Sequence, residues 1–197
     1  MKLSLIITTY NWPESLFLVL ESIKYQKILP DEVIIADDGS KKNTERLIKY
    51  FNKNSEINFT HSWQEDLGFR AARSRNKAIY KSSGDYIVLI DGDTILHDNF
   101  IKDHIENAEP GYFVQGSRVL ISKNKTNKLL SKKNANVSFF SLGLKNRRYS
   151  IHSKLLSLLF SNKINHLRSI KSCNMAFYRE DCVKINGFNN KFEGWGR

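Results

Sequence analysis

Asp91-Gly92-Asp93 sets two carboxylates one glycine apart, directly after the apolar run Tyr86-Ile87-Val88-Leu89-Ile90. The run reads as a strand buried on both faces, and such a strand has no structural use for two acids at its carboxyl end. Open α/β sheets collect their ligands at that end. Gly92 lets the backbone turn so that both acids face one point, and hard oxygen ligands meeting there suit Mg²⁺ or Mn²⁺. Asp-Gly is also an ordinary turn dipeptide, so these residues alone leave a plain strand-to-loop turn open.

The argument strengthens because the pattern repeats. Thr8-Thr9-Tyr10-Asn11 ends a first apolar run, Asp37-Asp38-Gly39-Ser40 a second, and Asp66-Leu67-Gly68-Phe69-Arg70 follows a third. The elements that must position them alternate. Strands are expected at Lys2–Thr8, Glu32–Ala36, Ile57–Trp63 and the run into Asp91, with helices over Trp12–Gln26, after a capping Ser40, and from Gly68 to Lys81. Strands separated by helices of this length predict a mostly parallel, layered α/β sheet, whose strand ends would line one crevice. Beyond Asp93 a strand is expected at Phe113–Ser122, a Lys/Asn/Ser-rich loop at 123–136, a short helix at Ser153–Phe160, a strand at Met175–Arg179 and a helix around Asp181–Ile185.

Composition bounds the partners. The 197 residues carry 41% hydrophobic residues and a net charge of +11, enough apolar content for one globular domain. Between 123 and 171 there are many Lys and Arg and no Asp or Glu, which implies an anionic partner: nucleic acid, anionic lipid or a phosphorylated substrate. No run approaches the roughly 20 apolar residues that span a bilayer. Cys173 and Cys182 have no metal-type spacing and read as reduced thiols of a cytoplasmic protein. His61, His97, His104, His152 and His166 are scattered and read as structural or surface residues.

Ser4–Asn11, Val33–Ser40, Leu67–Ala78 and Ile90–Asp93, in that order, resemble the motifs of the family 2 glycosyltransferases. Ser172–Phe177, Gly187–Asn189 and Phe192–Gly196 resemble the acceptor-side motifs of the branch with a galactosyltransferase-like C-terminal part. The resemblance implies a GT-A fold: a Rossmann-like, mostly parallel sheet flanked by helices in a single domain, with a nucleotide-sugar half to residue 100 and an acceptor half beyond. It implies a metal-dependent inverting transferase that moves a hexose or N-acetylhexosamine from a UDP-sugar to a saccharide or lipid-linked saccharide acceptor in cell-surface polysaccharide or lipopolysaccharide synthesis.

Residue by residue, it implies that Thr8 and Tyr10 contact the nucleoside, that Asp38 accepts from the base imide N–H with Asp37 supporting that loop, and that Asn11 belongs to the same donor site. Arg70 and Arg73, on one helix face, would engage the diphosphate, while Arg75 and Lys77 read as a solvated basic face. Asp93 would bind Mn²⁺ or Mg²⁺ directly, with Asp91 toward the ribose or a metal-bound water. Asn174, Gly194 and Trp195 would meet the acceptor. Related chains place an acidic pair just after Gly-Trp-Gly, and a further histidine beyond it. The present sequence stops at Arg197, so Glu193 is the nearest candidate base and an impaired, C-terminally short chain is expected.

The alternatives are a donor-binding protein that turns over poorly, a nucleotidyltransferase, and a nucleic-acid binder. Thr8–Pro13 lacks the glycine-rich phosphate loop that the nucleotidyltransferase needs. The acidic strand ends argue against nucleic acid as partner. The basic, Leu-rich stretch 145–171 reads either as a contact with the anionic inner face of a membrane or as a core-facing helix with a solvated basic side.

Overall fold

The computed structural model describes residues 1–161, 163 and 170–194, with the backbone alone at 154, 158 and 160. The alternation expected up to Asp91 is present: β1 (Leu3–Thr9), α1 (Pro13–Ile23), β2 (Glu32–Asp37), α2 (Lys42–Lys53), β3 (Asn58–Trp63), α3 (Ala71–Lys81) and β4 (Tyr86–Asp91). The period-2 geometry of strands explains why continuous apolar runs were needed. Leu5, Ile7, Val33, Ile35, Val88 and Ile90 face α1 and α2, whose Leu16, Val19, Leu20, Ile48 and Phe51 complete one core. Ile6, Ile34, Ala36, Ile87 and Leu89 face the opposite way, onto Ala78 and Ile79 of α3. Pro13 sits in the first turn of α1, where no backbone N–H is required of it.

The second half adds α4 (Phe100–Glu106), β5 (Val114–Gln115), β6 (Leu120–Ile121), α5 (Lys123–Lys132), β7 (Leu144–Lys145), a 3-10 turn over Arg147–Ser150, α6 (Lys154–Phe160), β8 (Asn174–Tyr178) and α7 (Arg179–Lys184). The main sheet has the order β3-β2-β1-β4-β8-β5. β1 to β4 run parallel, and β8 returns antiparallel to β4 and to β5. The later half therefore completes the sheet of the earlier one, and the chain is a single α/β domain.

Two expectations fail here. The strand expected at Phe113–Ser122 is split, because Val114–Gln115 pairs with β8 while Leu120–Ile121 pairs with β7 in a separate two-stranded sheet. Gly116 marks the break, packed so closely on the Asn174 side chain that no Cβ would fit. The expected loop at 123–136 contains α5, because Leu129 is buried as this helix packs on α1, a tertiary contact that outweighs a polar composition. Among the described residues no helix is long and apolar enough to cross a membrane.

Candidate active site

The site begins at the point where the strand order reverses. From β1 the chain moves to one side through β2 and β3, then crosses to the other side for β4, which opens a crevice at the carboxyl ends. Register sets Thr8 opposite Asp91 and Thr9 opposite Asp37, so the polar clusters share one sheet edge. The Gly92 N–H donates to the Thr8 carbonyl at 2.7 Å, and a Cβ on Gly92 would lie 2.9 Å from that same oxygen. Only glycine lets the acidic turn lie this close to β1.

On the β2 side both acids are buried and already engaged. Asp37 accepts from the Ser40 N–H at 2.7 Å and pairs with His61 Nε2 at 2.8 Å. Asp38 accepts from Gln64 Nε2 at 2.6 Å and from the Arg70 N–H at 2.7 Å, which ties β2 to the loop before α3. Burial holds the Asp38 carboxyl above the ordinary carboxylate range, against the pull of these two donors. Gly39, at φ 100°, allows the approach, since a Cβ there would sit 2.5 Å from the Asp66 Cα.

Asn11, at φ 47°, donates its N–H to Ser40 Oγ at 2.8 Å and accepts from the Lys41 N–H at 3.0 Å. Ser40 therefore holds the β1 loop and does not cap α2, whose N-cap is Lys41. Exposed Tyr10 reaches across to Asp66 with its hydroxyl at 2.9 Å, leaving a ring face in solvent at the rim.

The arginines divide differently from the sequence expectation. Arg70 is the non-helical N-cap of α3, with φ −121°, so it and Arg73 are not paired on one helical face. Arg73 is exposed, with no hydrogen bond or ion pair among the described residues. Arg75, expected on a solvated face, is turned inward. Its Nε donates to Thr8 Oγ1 at 3.3 Å and its Nη2 to Asp91 Oδ1 at 3.4 Å, and its guanidinium lies 5.7 Å from the centre of the Phe188 ring. A signal for this was present. Ala71, Ser74, Arg75 and Ala78 fall at i, i+3, i+4 and i+7, which is the stripe α3 presents to the sheet. Lys77 remains exposed and donates to the Trp63 carbonyl at 2.6 Å.

Asp91 is half-buried, and its burial raises its carboxyl while the Arg75 charge opposes that rise. Asp93 is exposed, and its carboxylate has no hydrogen bond or ion pair among the described residues. No group of three or more His, Cys, Asp or Glu is poised for a metal among the described residues. Two carboxylates, one of them uncommitted, fit Mg²⁺ or Mn²⁺, which fill remaining positions with phosphate oxygens and water.

Both acids border a cleft of about 1350 Å³ that runs between α1, α4, α5 and the 116–121 segment. Asn174 lines it from β8, accepting from His104 Nε2 at 2.9 Å and donating to the Ser117 carbonyl at 3.3 Å. His104 is buried beneath, and desolvation lowers its pKa to about 4, so it is neutral near pH 7. Glu193 pairs with Arg70 Nη2 at 3.0 Å, and the Gly194 N–H donates to the Phe69 carbonyl at 3.2 Å, which seats this segment on the loop before α3. Trp195 and His166 lie outside the described residues.

Thr8, Arg75, Asp91 and Asp93 are thus gathered at the switch point, with Asp38 and Arg70 joined beside them. Gln64, the partner of Asp38, was not singled out by its sequence context; only the folded loop gives it a role.

A family model described as Glycosyl transferase family 2 matches residues 4–184. The chain belongs to glycosyltransferase family 2. Among curated members of this family, a chondroitin synthase of Escherichia coli is 32% identical over 105 residues, covering 53% of this chain and 15% of that one. A hyaluronan synthase of Pasteurella multocida is 24% identical over 217 residues, covering 98% of this chain and 21% of that one. This family 2 chain therefore spans a small part of the length of these relatives. In solved structures the same GT-A fold is present in mannosyltransferase PcManGT from Pyrobaculum calidifontis, in complex with GDP-Man and Mn²⁺. The TM-score is 0.62 at 16% identity, over 96% of this chain and 48% of that one. S. aureus TarS 1–349 with UDP gives 0.57 at 18%, over 100% and 52%.

Proposed function

We propose that this chain transfers a hexose or N-acetylhexosamine from a UDP-sugar to a saccharide acceptor of a cell-surface polysaccharide or lipopolysaccharide, with inversion at the sugar carbon and with a divalent metal. The observation that carries this reading is the uncommitted Asp93 carboxylate beside Asp91 and Arg75, at the mouth of a cleft large enough for a saccharide. UDP in the TarS complex supports the choice of nucleotide, and the synthesis of chondroitin and hyaluronan by relatives supports the choice of a polymeric saccharide.

The roles follow from chemistry. Tyr10 offers its exposed ring to the base, and Asp38 and Asp37 hold the loop that shapes that end of the crevice. Thr8 and Arg75 orient the ribose and diphosphate around Asp91. Arg70 at the loop before α3 meets the phosphates. Asp93 and Asp91 would hold a divalent cation, which would supply positive charge beside the departing UDP. The acceptor hydroxyl oxygen forms the new bond to the sugar carbon, and its proton passes to a carboxylate base, for which Glu193 is the candidate. Asn174 and Gly194 flank the acceptor path, and Trp195 is assigned a stacking role against it.

Calorimetric titration of UDP with and without Mn²⁺ tests the donor site. Tighter binding with metal is expected, and Asp93→Ala should remove the difference. Equal affinity in both conditions would remove the metal assignment, and tighter binding of GDP than UDP would reassign the donor. Glu193→Gln should abolish transfer while UDP still binds, with any change in affinity reflecting the release of Arg70 from its ion pair; undiminished transfer would place the base elsewhere.

A further inference from the structure

The segment 138–149 carries a surface that the donor and acceptor chemistry does not use. Phe140 and Leu142 are 84% and 85% exposed, at the tip of the loop leading into β7. They are among the most exposed large apolar side chains of the described residues, and they stand two positions apart on one loop. The loop beneath them is braced. Arg147 Nη2 donates to the Ser141 carbonyl at 2.9 Å while its guanidinium lies 5.8 Å from the Phe139 ring centre. The Ser122 N–H donates to the Gly143 carbonyl at 2.8 Å, and Phe139 and Phe140 pack edge-on at 5.3 Å. The two apolar tips are therefore presented by a held loop.

The stretch of chain that carries them is basic. Lys125 approaches Gly143, Lys145 lies in β7, and Arg148 stacks on Tyr149 with 5.0 Å from the guanidinium carbon to the ring centre. No Asp or Glu occurs anywhere from residue 110 to residue 179. Apolar tips on a basic stretch of chain without acids complement a bilayer with anionic headgroups: the tips enter the acyl boundary and the cations meet the phosphates.

We propose that the 139–149 loop, led by Phe140 and Leu142, docks this protein on an anionic lipid surface. Leu144 and Tyr149 of this loop, and Ser138 and Ser150 that flank it, line the cleft that Asp91 and Asp93 border. Docking there brings the cleft to the headgroup plane, where a lipid-linked saccharide would present its sugar end. The docking surface stands apart from the donor-site reading; only its bearing on a lipid-linked acceptor rests on that reading.

Vesicle co-sedimentation without nucleotide tests it. Binding to phosphatidylglycerol vesicles should exceed binding to phosphatidylcholine vesicles by roughly tenfold or more, and should fall as salt rises. The double variant Phe140→Ser/Leu142→Ser should weaken binding to the anionic vesicles by roughly tenfold at unchanged circular dichroism and melting temperature. Equal binding to both vesicle types, or a double variant that binds as tightly as the parent, overturns the proposal. So does binding of single-stranded DNA that matches the vesicles and ignores the double substitution. Because UDP titration is a separate measurement, failure here leaves the donor site untouched, and failure there leaves this surface untouched.

Discussion

The strands of residues 1–91 and the segment 110–161 are built on opposite terms. In the first, β1, β2 and β4 are buried on both faces between helices, and the functional groups project only from their ends. In the second, strands are two residues long, large apolar side chains such as Phe140, Leu142 and Leu155 are open to solvent, and α5 contributes one buried residue. A rigid sheet can hold Thr8, Asp91 and Arg75 within a few tenths of an ångström from one molecule to the next, as donor chemistry demands. The second region's short elements make few contacts with the sheet, so their loss would leave it largely intact. The contrast teaches that the buried core is concentrated in the first region, while the second exposes its apolar side chains.

That division can be broken by measurement. Ile34→Ala, in the centre of β2, should lower unfolding free energy in urea by about 2–5 kcal/mol, because a fully buried side chain leaves a cavity between two layers. Next in size is a pH effect at the border of the two regions. His104 folds neutral with a pKa lowered from 6.5 to about 4 by burial, so its contribution is complete above pH 6.5 and is lost as the pH falls to 4. The loss is on the order of 3 kcal/mol. Asp38 and Asp91, whose buried carboxyls are raised, act in the opposite sense, favouring the fold at low pH and weakening it as they ionise. They are shared by His104→Gln, so the difference in urea stability between parent and variant at pH 7 and pH 4.5 isolates the histidine. A variant with the parent's full pH dependence would refute the assignment.

Asp38→Asn turns an amide NH₂ against either Gln64 Nε2 or the Arg70 N–H, and should cost about 1–3 kcal/mol and slacken the loop before α3. Unchanged stability would mean that the loop is held by other contacts. At the far end of the scale, Phe140→Ser should alter stability by no more than about 0.5 kcal/mol. A larger drop in thermal or urea unfolding would show that the second region is part of the cooperative core.

The amino-acid order alone determined the alternation of strands and helices, the two-sided burial of the sheet and the family, because these follow from local periodicity and from short motifs that each strand end carries intact. It also singled out Asp91 and Asp93 as candidates, while leaving a plain Asp-Gly turn open. The stripe on α3 already turned Arg75 toward the sheet, but tertiary structure alone decided that it meets Asp91, that Gln64 serves Asp38, that 113–122 divides between two sheets, and that 123–132 is helical. Each of those outcomes depends on a partner distant in the chain: the sheet under α3, the loop folded over β2, β8 arriving beside β4, and α1 covering Leu129. Local composition carries no record of such meetings, which exist only once the layers have packed.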